Sequence, residues 1–251
     1  MSSSPLILLP PSESKAIGGQ RESGADYFSE FLTEPRAVLN KALGKWLRTA
    51  SDSEISKVFK VRGPLLERAI HVANAHAAGK GLFLPAWQRY EGVVWSHLDP
   101  QTLSAAQRRR ILIPSGLYGI NRGDDLIEDY RLTMNISLPG LGNVAAYWRD
   151  SATTAIESTK GPIVSLLPNE HLSVVNSLTP RLETRFIHVS FVAANGVKAA
   201  GHDAKAVKGV VARAIIERGV EALEGFNWFG WSARLNERGW TVTAPKQRSV
   251  R

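Results

Sequence analysis

Short apolar runs and longer segments of helical periodicity alternate along the chain. The apolar runs are bounded by proline or charged residues and are shorter than the roughly 10 residues that a helix needs, so they predict buried strands. These runs occupy residues 6–9, 110–114, 162–168 and 185–192, and a terminal strand is predicted at 240–243. In the run 185–192 apolar and polar residues alternate, which indicates a strand with one face against a polar layer.

Apolar positions recur at helical spacing in three longer segments. They predict helices over residues 29–50, 65–78 and 205–218. Pro35 is predicted to interrupt the first of these helices, because proline lacks the backbone N–H that a helix interior uses. A short capped helix with a basic polar face is predicted at residues 104–109. Strands and helices mixed in this order predict a mixed α/β (α+β) fold.

Length and composition exclude several classes of protein. The 251 residues suffice for the core of one large domain or of two small ones. The chain has no cysteine, which excludes a disulfide framework, a thiolate zinc site, an iron–sulfur cluster and a cysteine nucleophile. No apolar run approaches the ~18 residues of a membrane span, so no membrane partner is expected. The first five residues carry no basic side chain and the run 6–9 is too short for a signal peptide, so a cytoplasmic location is expected.

The charge of the chain points to its partners. Lysine and arginine number 31 against 23 aspartate and glutamate residues, which gives a formal net charge of +8. A basic balance of this size favours a polyanionic partner, such as duplex DNA or a nucleotide-like small molecule. Residues 245–251 are predicted to form a basic, mobile tail. The histidines lack the spacing of metal ligands, so neither a metal site nor another cofactor is expected.

The most distinctive pattern is the segment 115–134, which follows directly on an apolar run. It holds three glycines, two arginines and two tyrosines. Glycines at a strand end allow backbone N–H groups to approach an anion, because no Cβ atom stands in the way. The alternative is a long structured loop in which the glycines only satisfy turn geometry, and the pattern leaves both interpretations open.

Two basic residues near predicted strand ends are candidate anion ligands. Lys15 follows a strand and a Pro-Pro turn, so its ammonium group could meet a phosphate or a carboxylate, or it could be a solvated surface lysine. Arg131 offers a planar guanidinium that suits a phosphate, and its alternative role is a structural ion pair with Asp125 or Glu128.

A basic helix and one carboxylate complete the candidate chemistry. Lys205 and Lys208 share a face of the predicted helix, whereas Arg213 lies about 140° further round the axis. Glu170 follows a buried strand and could be a general base or nucleophile if burial raised its pKa. The same position suits a helix cap equally well.

Four segments resemble the YaaA family of bacterial peroxide-stress proteins. They are residues 6–15, 115–132, the pair Asn169-Glu170, and 205–217 with 225–227 behind it. The resemblance implies a single α/β domain, here over residues 1–244, with a positively charged cleft. It also implies DNA binding, attributed partly to a helix–hairpin–helix-like element, and a role in limiting damage from peroxide and iron. The sequence departs from the family pattern at Asn121, Gly123, Asp129, Thr133, Pro168 and His171.

Two functional hypotheses follow from the residues and the resemblance. The first is a stress protein that binds DNA or nucleotides through a basic cleft. Its anion-binding residues would be Lys15, Ser115, Tyr118, Arg122, Tyr130, Arg131, Lys205, Lys208 and Arg213. The second is a diverged enzyme that acts on a nucleoside, a nucleotide or another phosphorylated metabolite by N-glycosidic cleavage or transfer, with Glu170, Lys15 and Arg131 as catalytic residues. We expect Lys15, Ser115, Arg131, Glu170 and Lys208 to meet in one cleft at the carboxyl ends of the strands, where open α/β sheets usually bind ligands, although an extended DNA groove would not require this convergence.

Overall fold

The secondary structure confirms most of the predicted elements. The computed structural model describes residues 4–24, 26–175, 179–237 and 239–246, without the side chains of Asn169 and Glu170. The strands are β1 (Leu6–Leu8), β2 (Phe83–Pro85), β3 (Ile111–Ser115), β4 (Gly119–Arg122), β5 (Leu126–Glu128), β6 (Ser137–Leu138), β7 (Gly142–Asn143), β8 (Ile163–Ser165), β9 (Phe186–Val192), β10 (Asn227–Trp228), β11 (Trp231–Asn236) and β12 (Gly239–Thr243). The α-helices are α1 (Ser29–Leu47), α2 (Asp52–Phe59), α3 (Pro64–Ala77), α4 (Ala86–Arg89), α5 (Val93–Leu98), α6 (Ala105–Arg108), α7 (Val144–Glu157), α8 (Asn169–Leu172), α9 (Pro180–Glu183) and α10 (Gly201–Arg218). Short 3₁₀ turns lie at Pro100–Thr102, Ser173–Val175 and Val220–Leu223.

Eight strands form one mixed sheet in the order β10-β11-β12-β9-β8-β1-β3-β4. The five central strands from β12 to β3 run parallel to their neighbours, and antiparallel strands close both edges. Ile7 of β1 sits in register between Ile111 and Val164, and all three side chains are fully buried. Parallel strands that are covered on both faces are apolar along their whole length, which is why the sequence shows them as short apolar runs. The mixed α/β fold class is therefore confirmed.

One predicted feature of the first helix is wrong. Helix α1 continues through Pro35 without a break. Proline removes one helical hydrogen bond and crowds the carbonyl four residues earlier. Leu32, Leu39 and Leu43 nevertheless form one buried stripe that extends across the proline. Packing of that stripe holds the helix on both sides, because tertiary contacts supply most of the stability of a protein helix.

The glycine-rich segment 115–134 contains two short strands and not only a loop. Strand β4 pairs with β3, and β5 pairs with β2 in a separate ribbon. Gly119 begins β4 at φ 75°, and a Cβ atom there would lie 2.7 Å from the ring of Trp148. A side chain at this position would be both strained and obstructed, so the turn requires glycine.

In the described ranges, none of the helices has both the length and the apolar character that crossing a bilayer requires. Leu65 belongs to the predicted apolar face of α3 but is 48% exposed, since it lies in the first turn of that helix. Most of the predicted tail, residues 247–251, lies outside the described residues, so its mobility stays a prediction.

The topology brings three strand ends together. Because β8, β1 and β3 are parallel neighbours, their carboxyl ends lie side by side at one edge of the sheet. The segments that leave these ends begin at Leu166, Leu9 and Gly116. This edge is the position at which open α/β sheets usually hold ligands.

Candidate functional site

A cleft of about 200 Å³ opens beside the carboxyl ends of β1, β3 and β8. Its walls come from the segments that follow these three strands and from the strap 130–135. The lining residues are Pro11, Ser12, Glu13, Lys15, Gly116, Tyr130, Leu132, Thr133, Met134, Asn135 and His171. The segments that hold Lys15, Gly116 and His171 therefore meet at this cleft.

The strap lies unusually close to the end of β3. A Cβ atom on Gly116 would lie 2.1 Å from the carbonyl oxygen of Leu132, far inside the contact distance of real Cβ atoms. Glycine at position 116 thus lets the strap pack directly against the strand end. This close approach forms one wall of the cleft.

Lys15 is the most unusual residue of the cleft, because its side chain is only 5% exposed. Its Nζ donates a hydrogen bond to the carbonyl oxygen of Ser12 at 2.8 Å. The same atom lies 4.3 Å from the ring centroid of Tyr130 and 5.6 Å from that of Tyr90. Among the side chains that the structure describes, no carboxylate lies within ion-pair distance of this nitrogen.

The surroundings of Lys15 disfavour its charged form. The pKa of Lys15 is lowered from 10.5 to about 7, mainly by burial and in part by the charges of Arg131 and Arg68. Asp129 and Glu13 act in the opposite direction, but their effect is smaller than that of burial. Near neutral pH the side chain is therefore present both as an amine and as an ammonium group.

A chain of hydroxyl groups fixes the ring beneath Lys15. Ser115 Oγ donates to Tyr130 Oη at 2.8 Å, and it accepts a hydrogen bond from the backbone N–H of Tyr118 at 3.1 Å. The hydroxyls of Tyr130 and Tyr90 share a hydrogen bond of 2.6 Å. Burial raises the pKa of Tyr130 to about 12, so both phenols stay neutral at physiological pH. Ser115 is fully buried and acts here by positioning Tyr130.

Tyr118 belongs to a second polar network, which lies behind the first. Its Oη donates to Glu128 Oε2 at 3.0 Å and accepts from the backbone N–H of Glu128 at 3.0 Å. The same carboxylate contacts Nδ1 of His76, whose Nε2 lies 3.0 Å from Asn40 Oδ1. The Tyr118 hydroxyl is therefore occupied by its two hydrogen bonds with Glu128, and Tyr118 does not line the cleft.

Arg131 lies beside the cleft, but its partner differs from the ion-pair partners considered in the sequence. Its Nη1 donates to the carbonyl oxygen of Glu13 at 2.7 Å, and Glu13 lines the cleft. The ion pair in this region is instead formed by Arg68 and Asp129, at 2.6 Å. Arg68 also donates to the carbonyl oxygen of Lys15 at 2.6 Å, which ties α3 to the cleft.

Arg122 lies at the far end of the hairpin from the cleft. In the register of β3 and β4, Ser115 opposes Gly119 whereas Arg122 opposes Leu112. The guanidinium carbon of Arg122 lies 3.2 Å from the ring centroid of Tyr27. The hairpin therefore holds Arg122 and Ser115 at opposite ends.

The basic residues of α10 are not part of the cleft lining. Lys205 is exposed, and Nζ of Lys208 lies 5.0 Å from the ring centroid of Phe191 on β9. Arg213 donates to the carbonyl oxygens of Leu98 and Asp99 at 3.2 and 3.0 Å, so it clamps α10 to the end of α5. The cleft geometry therefore does not support the prediction that Lys208 shares one site with Lys15.

The side chain of Glu170 lies outside the described residues, so its role in the site stays a prediction. Its neighbour His171 lines the cleft, as does Thr133. Both are positions at which this sequence departs from the family pattern, so two of the six departures line the cleft. Sequence reasoning missed Tyr90, because no motif links residue 90 to a strand end.

The fold and the cleft define a mixed α/β protein with a buried lysine at the carboxyl ends of parallel strands. Comparison with known proteins identifies the family. A family model described as peroxide stress protein YaaA matches residues 6–236, and the chain belongs to this family.

Relatives of similar length share about three residues in ten. A UPF0246 protein of Streptomyces coelicolor is 32% identical over 223 residues, which cover 85% of this chain and 84% of the relative. A UPF0246 protein of Ruegeria is 28% identical and covers 90% of this chain and 93% of its own. One from Corynebacterium glutamicum is 29% identical and covers 84% of each. The similarity therefore extends through the whole domain and is not confined to one motif.

Proposed function

We propose that this chain binds a nucleotide, or a single nucleotide of a DNA strand, through the Lys15 cleft, as its part in protection against peroxide stress. The main observation behind this proposal is the buried amino group of Lys15. This residue lines a cleft and has no ion-pair partner among the described side chains. A buried ammonium without a counter-ion is unfavourable, and an anion in the cleft would supply one.

Arg131 supports an anion at the same position. Its guanidinium has five N–H donors, and the hydrogen bond to Glu13 uses only one of its nitrogens. A phosphate beside Lys15 would therefore meet a second fixed cation at the edge of the cleft. Paired cations of this kind are suited to phosphate because guanidinium binds two phosphate oxygens at once.

The size of the cleft favours a small group over the side of a duplex. Its volume of about 200 Å³ lies below the ~300 Å³ at which pockets for drug-sized ligands begin. One sugar-phosphate unit suits such a space, whereas the face of a double helix does not enter it. The net charge of +8 would attract nucleic acid to the surface at long range.

Binding measurements on matched variants test this proposal. Fluorescence anisotropy with a labelled single-stranded oligonucleotide is compared for wild type, Lys15→Met and Lys41→Met. Lys41 is exposed on α1, so its variant loses the same charge away from the cleft. We expect Lys15→Met to weaken binding about 10- to 100-fold, as for loss of a hydrogen bond to a charged group. Equal affinities for both variants would contradict the proposal.

A second function is favoured by the neutral amine form of Lys15. An enzyme that cleaves or transfers an N-glycosidic bond needs a base or nucleophile, and an amine with a pKa of about 7 can be either. His171 lines the same cleft. Incubation with nucleosides and nucleotides, followed by chromatography for released base, tests this function directly. Base release by wild type that is absent in Lys15→Met would favour it over binding alone.

A further inference from the structure

We propose that Lys15 is a nucleophilic amine that condenses with a phosphate-bearing aldehyde to form an imine. The requirement that the substrate carries a phosphate rests on the proposed function, whereas the covalent step is argued from the position of Lys15 alone. Imine formation requires a lysine that lines a cavity, lacks an ion-pair partner and can lose its proton at working pH. Lys15 satisfies the first two conditions by its place in the cleft and by the absence of a described carboxylate beside it.

The contacts of Nζ leave one direction for a substrate. A neutral amine has two N–H bonds and one lone pair in addition to its bond to carbon. The carbonyl oxygen of Ser12 accepts a hydrogen bond from Nζ at 2.8 Å, and the ring centroid of Tyr130, 4.3 Å from the same atom, offers a face to the second N–H bond. The remaining tetrahedral direction carries the lone pair. Since Lys15 lines the cleft, a carbonyl carbon in the cleft can meet that lone pair.

The groups around Lys15 support its neutral form. Burial has the largest effect, Arg131 and Arg68 also disfavour a positive charge on Lys15, and Asp129 and Glu13 act against them. The nearby phenols are neutral, and among the described side chains of the lining His171 is the remaining titratable group. Around pH 7.5 most Lys15 side chains are therefore amines, whereas only about one in a thousand ordinary lysines is. This difference would make the chemistry selective for one lysine.

The proposed step conserves atoms and electrons. The lone pair of Nζ forms a bond to the aldehyde carbon while the carbon–oxygen π bond breaks, and one proton passes from Nζ to the oxygen to give a carbinolamine. The carbon–oxygen bond then breaks and Nζ gives up its second proton, so the oxygen leaves as one water molecule with both protons and a carbon–nitrogen double bond remains. The imine then takes up a proton, so a positive charge faces the phosphate of the substrate. Arg131, at the edge of the cleft, is positioned to hold that phosphate.

Two sources could supply a phosphate-bearing aldehyde. A free sugar phosphate opens to an aldehyde in solution, and a DNA strand that has lost a base carries the same group between two phosphates. Both place a carbonyl a few bonds from a phosphate, and one sugar-phosphate unit suits a cleft of about 200 Å³. The two sources are the arms of the experiment.

Reductive trapping tests the proposal. The full chain is incubated with sodium cyanoborohydride and either ribose 5-phosphate or an oligonucleotide with one abasic site. Intact mass measures the adduct, and peptide mapping locates it. We expect one adduct per chain, at Lys15, with a rate that rises from pH 6 to pH 8. An adduct with the oligonucleotide alone identifies DNA as the source, and one with both probes identifies sugar phosphates in general.

Controls separate this proposal from the proposed function. Lys41→Met should keep the adduct and Lys15→Met should lose it, while mapping of the wild-type chain decides the matter even if Lys15→Met does not fold. Adducts spread over exposed lysines, or no adduct with either probe, would overturn the imine. Nucleotide binding without an adduct would leave the proposed function standing and the imine refuted. An adduct at Lys15 that nucleotides do not compete with would support the imine and count against the proposed function.

Discussion

Lys15 occupies a position that few lysines tolerate, because its ammonium group loses most of its hydration on folding. The side chain is 5% exposed, and its described polar contacts are one carbonyl oxygen and the faces of two aromatic rings. A ring face and a carbonyl stabilise a cation less than water does. Retaining such a residue makes sense where the amine or its charge is used.

The pH dependence of stability reports directly on this residue. Burial lowers the pKa of Lys15 from 10.5 to about 7, so between these values the unfolded chain binds more protons than the folded chain. The contribution of Lys15 to the free energy of unfolding must then rise with pH in this window and stay constant below it. Relative to Lys15→Met, wild type should gain at most about 1.4 kcal/mol per pH unit between pH 7.5 and 10. Urea unfolding of both proteins measures the difference, and a difference that is constant with pH would show that the ammonium is solvated.

Close contacts between helices restrict how they can shift relative to one another. Helix α10 packs on α5 through Gly209, where a Cβ atom would lie 2.3 Å from the carbonyl oxygen of Val94. Arg213 then ties the same two helices together by hydrogen bonds to backbone carbonyls. Gly44 of α1 faces a looser contact, since a Cβ atom there would lie 3.8 Å from that of Ala77.

These two glycines should respond oppositely to the same substitution. Alanine is the better helix former by about 1 kcal/mol, and both sites lie inside helices. Gly44→Ala should therefore stabilise the protein by up to about 1 kcal/mol. Gly209→Ala should destabilise it by about 1–3 kcal/mol, because overpacking forces α10 from α5. Thermal unfolding of the two variants measures both changes in stability. If both substitutions stabilise the protein, α10 and α5 can move apart without loss of stability.

At the scale of the whole molecule, local pattern predicts the strands but not what covers their ends. The apolar runs predict β1, β3 and β8 because parallel strands are buried on both faces. The same pattern identifies Lys15 as a candidate ligand-binding residue, since it lies in the segment after a strand end. Its burial by Tyr130 and Tyr90 does not follow from the pattern, because these residues lie far along the chain and periodicity contains no information about long-range packing. Arg213 shows the same limit: its charge suggests a ligand, but its distant backbone partners make it a clamp.

The extent of the nucleic-acid interface should appear in its salt dependence. A cleft that takes one nucleotide neutralises one or two phosphates, so log affinity should fall with log salt at a slope of about −0.7 to −1.4 for single strands. Lys205→Glu should leave this slope unchanged, since Lys205 lies on α10 and does not line the cleft. Anisotropy titrations at several salt concentrations measure both. A slope near −5, or a flattening in Lys205→Glu, would indicate an extended interface instead.

The central claim is that an anion in the cleft neutralises the Lys15 ammonium, and proton uptake on binding tests it most directly. Calorimetry at pH 8 in buffers of different ionisation enthalpy counts the protons taken up with each oligonucleotide, using a strand without terminal phosphates. Because the pKa of free Lys15 is about 7, most of its side chains are unprotonated at pH 8, and binding an anion beside it should draw in a proton. The account predicts uptake approaching one proton in wild type and in Lys41→Met, and none in Lys15→Met. Binding without proton uptake in wild type, or equal uptake in Lys15→Met, would contradict it.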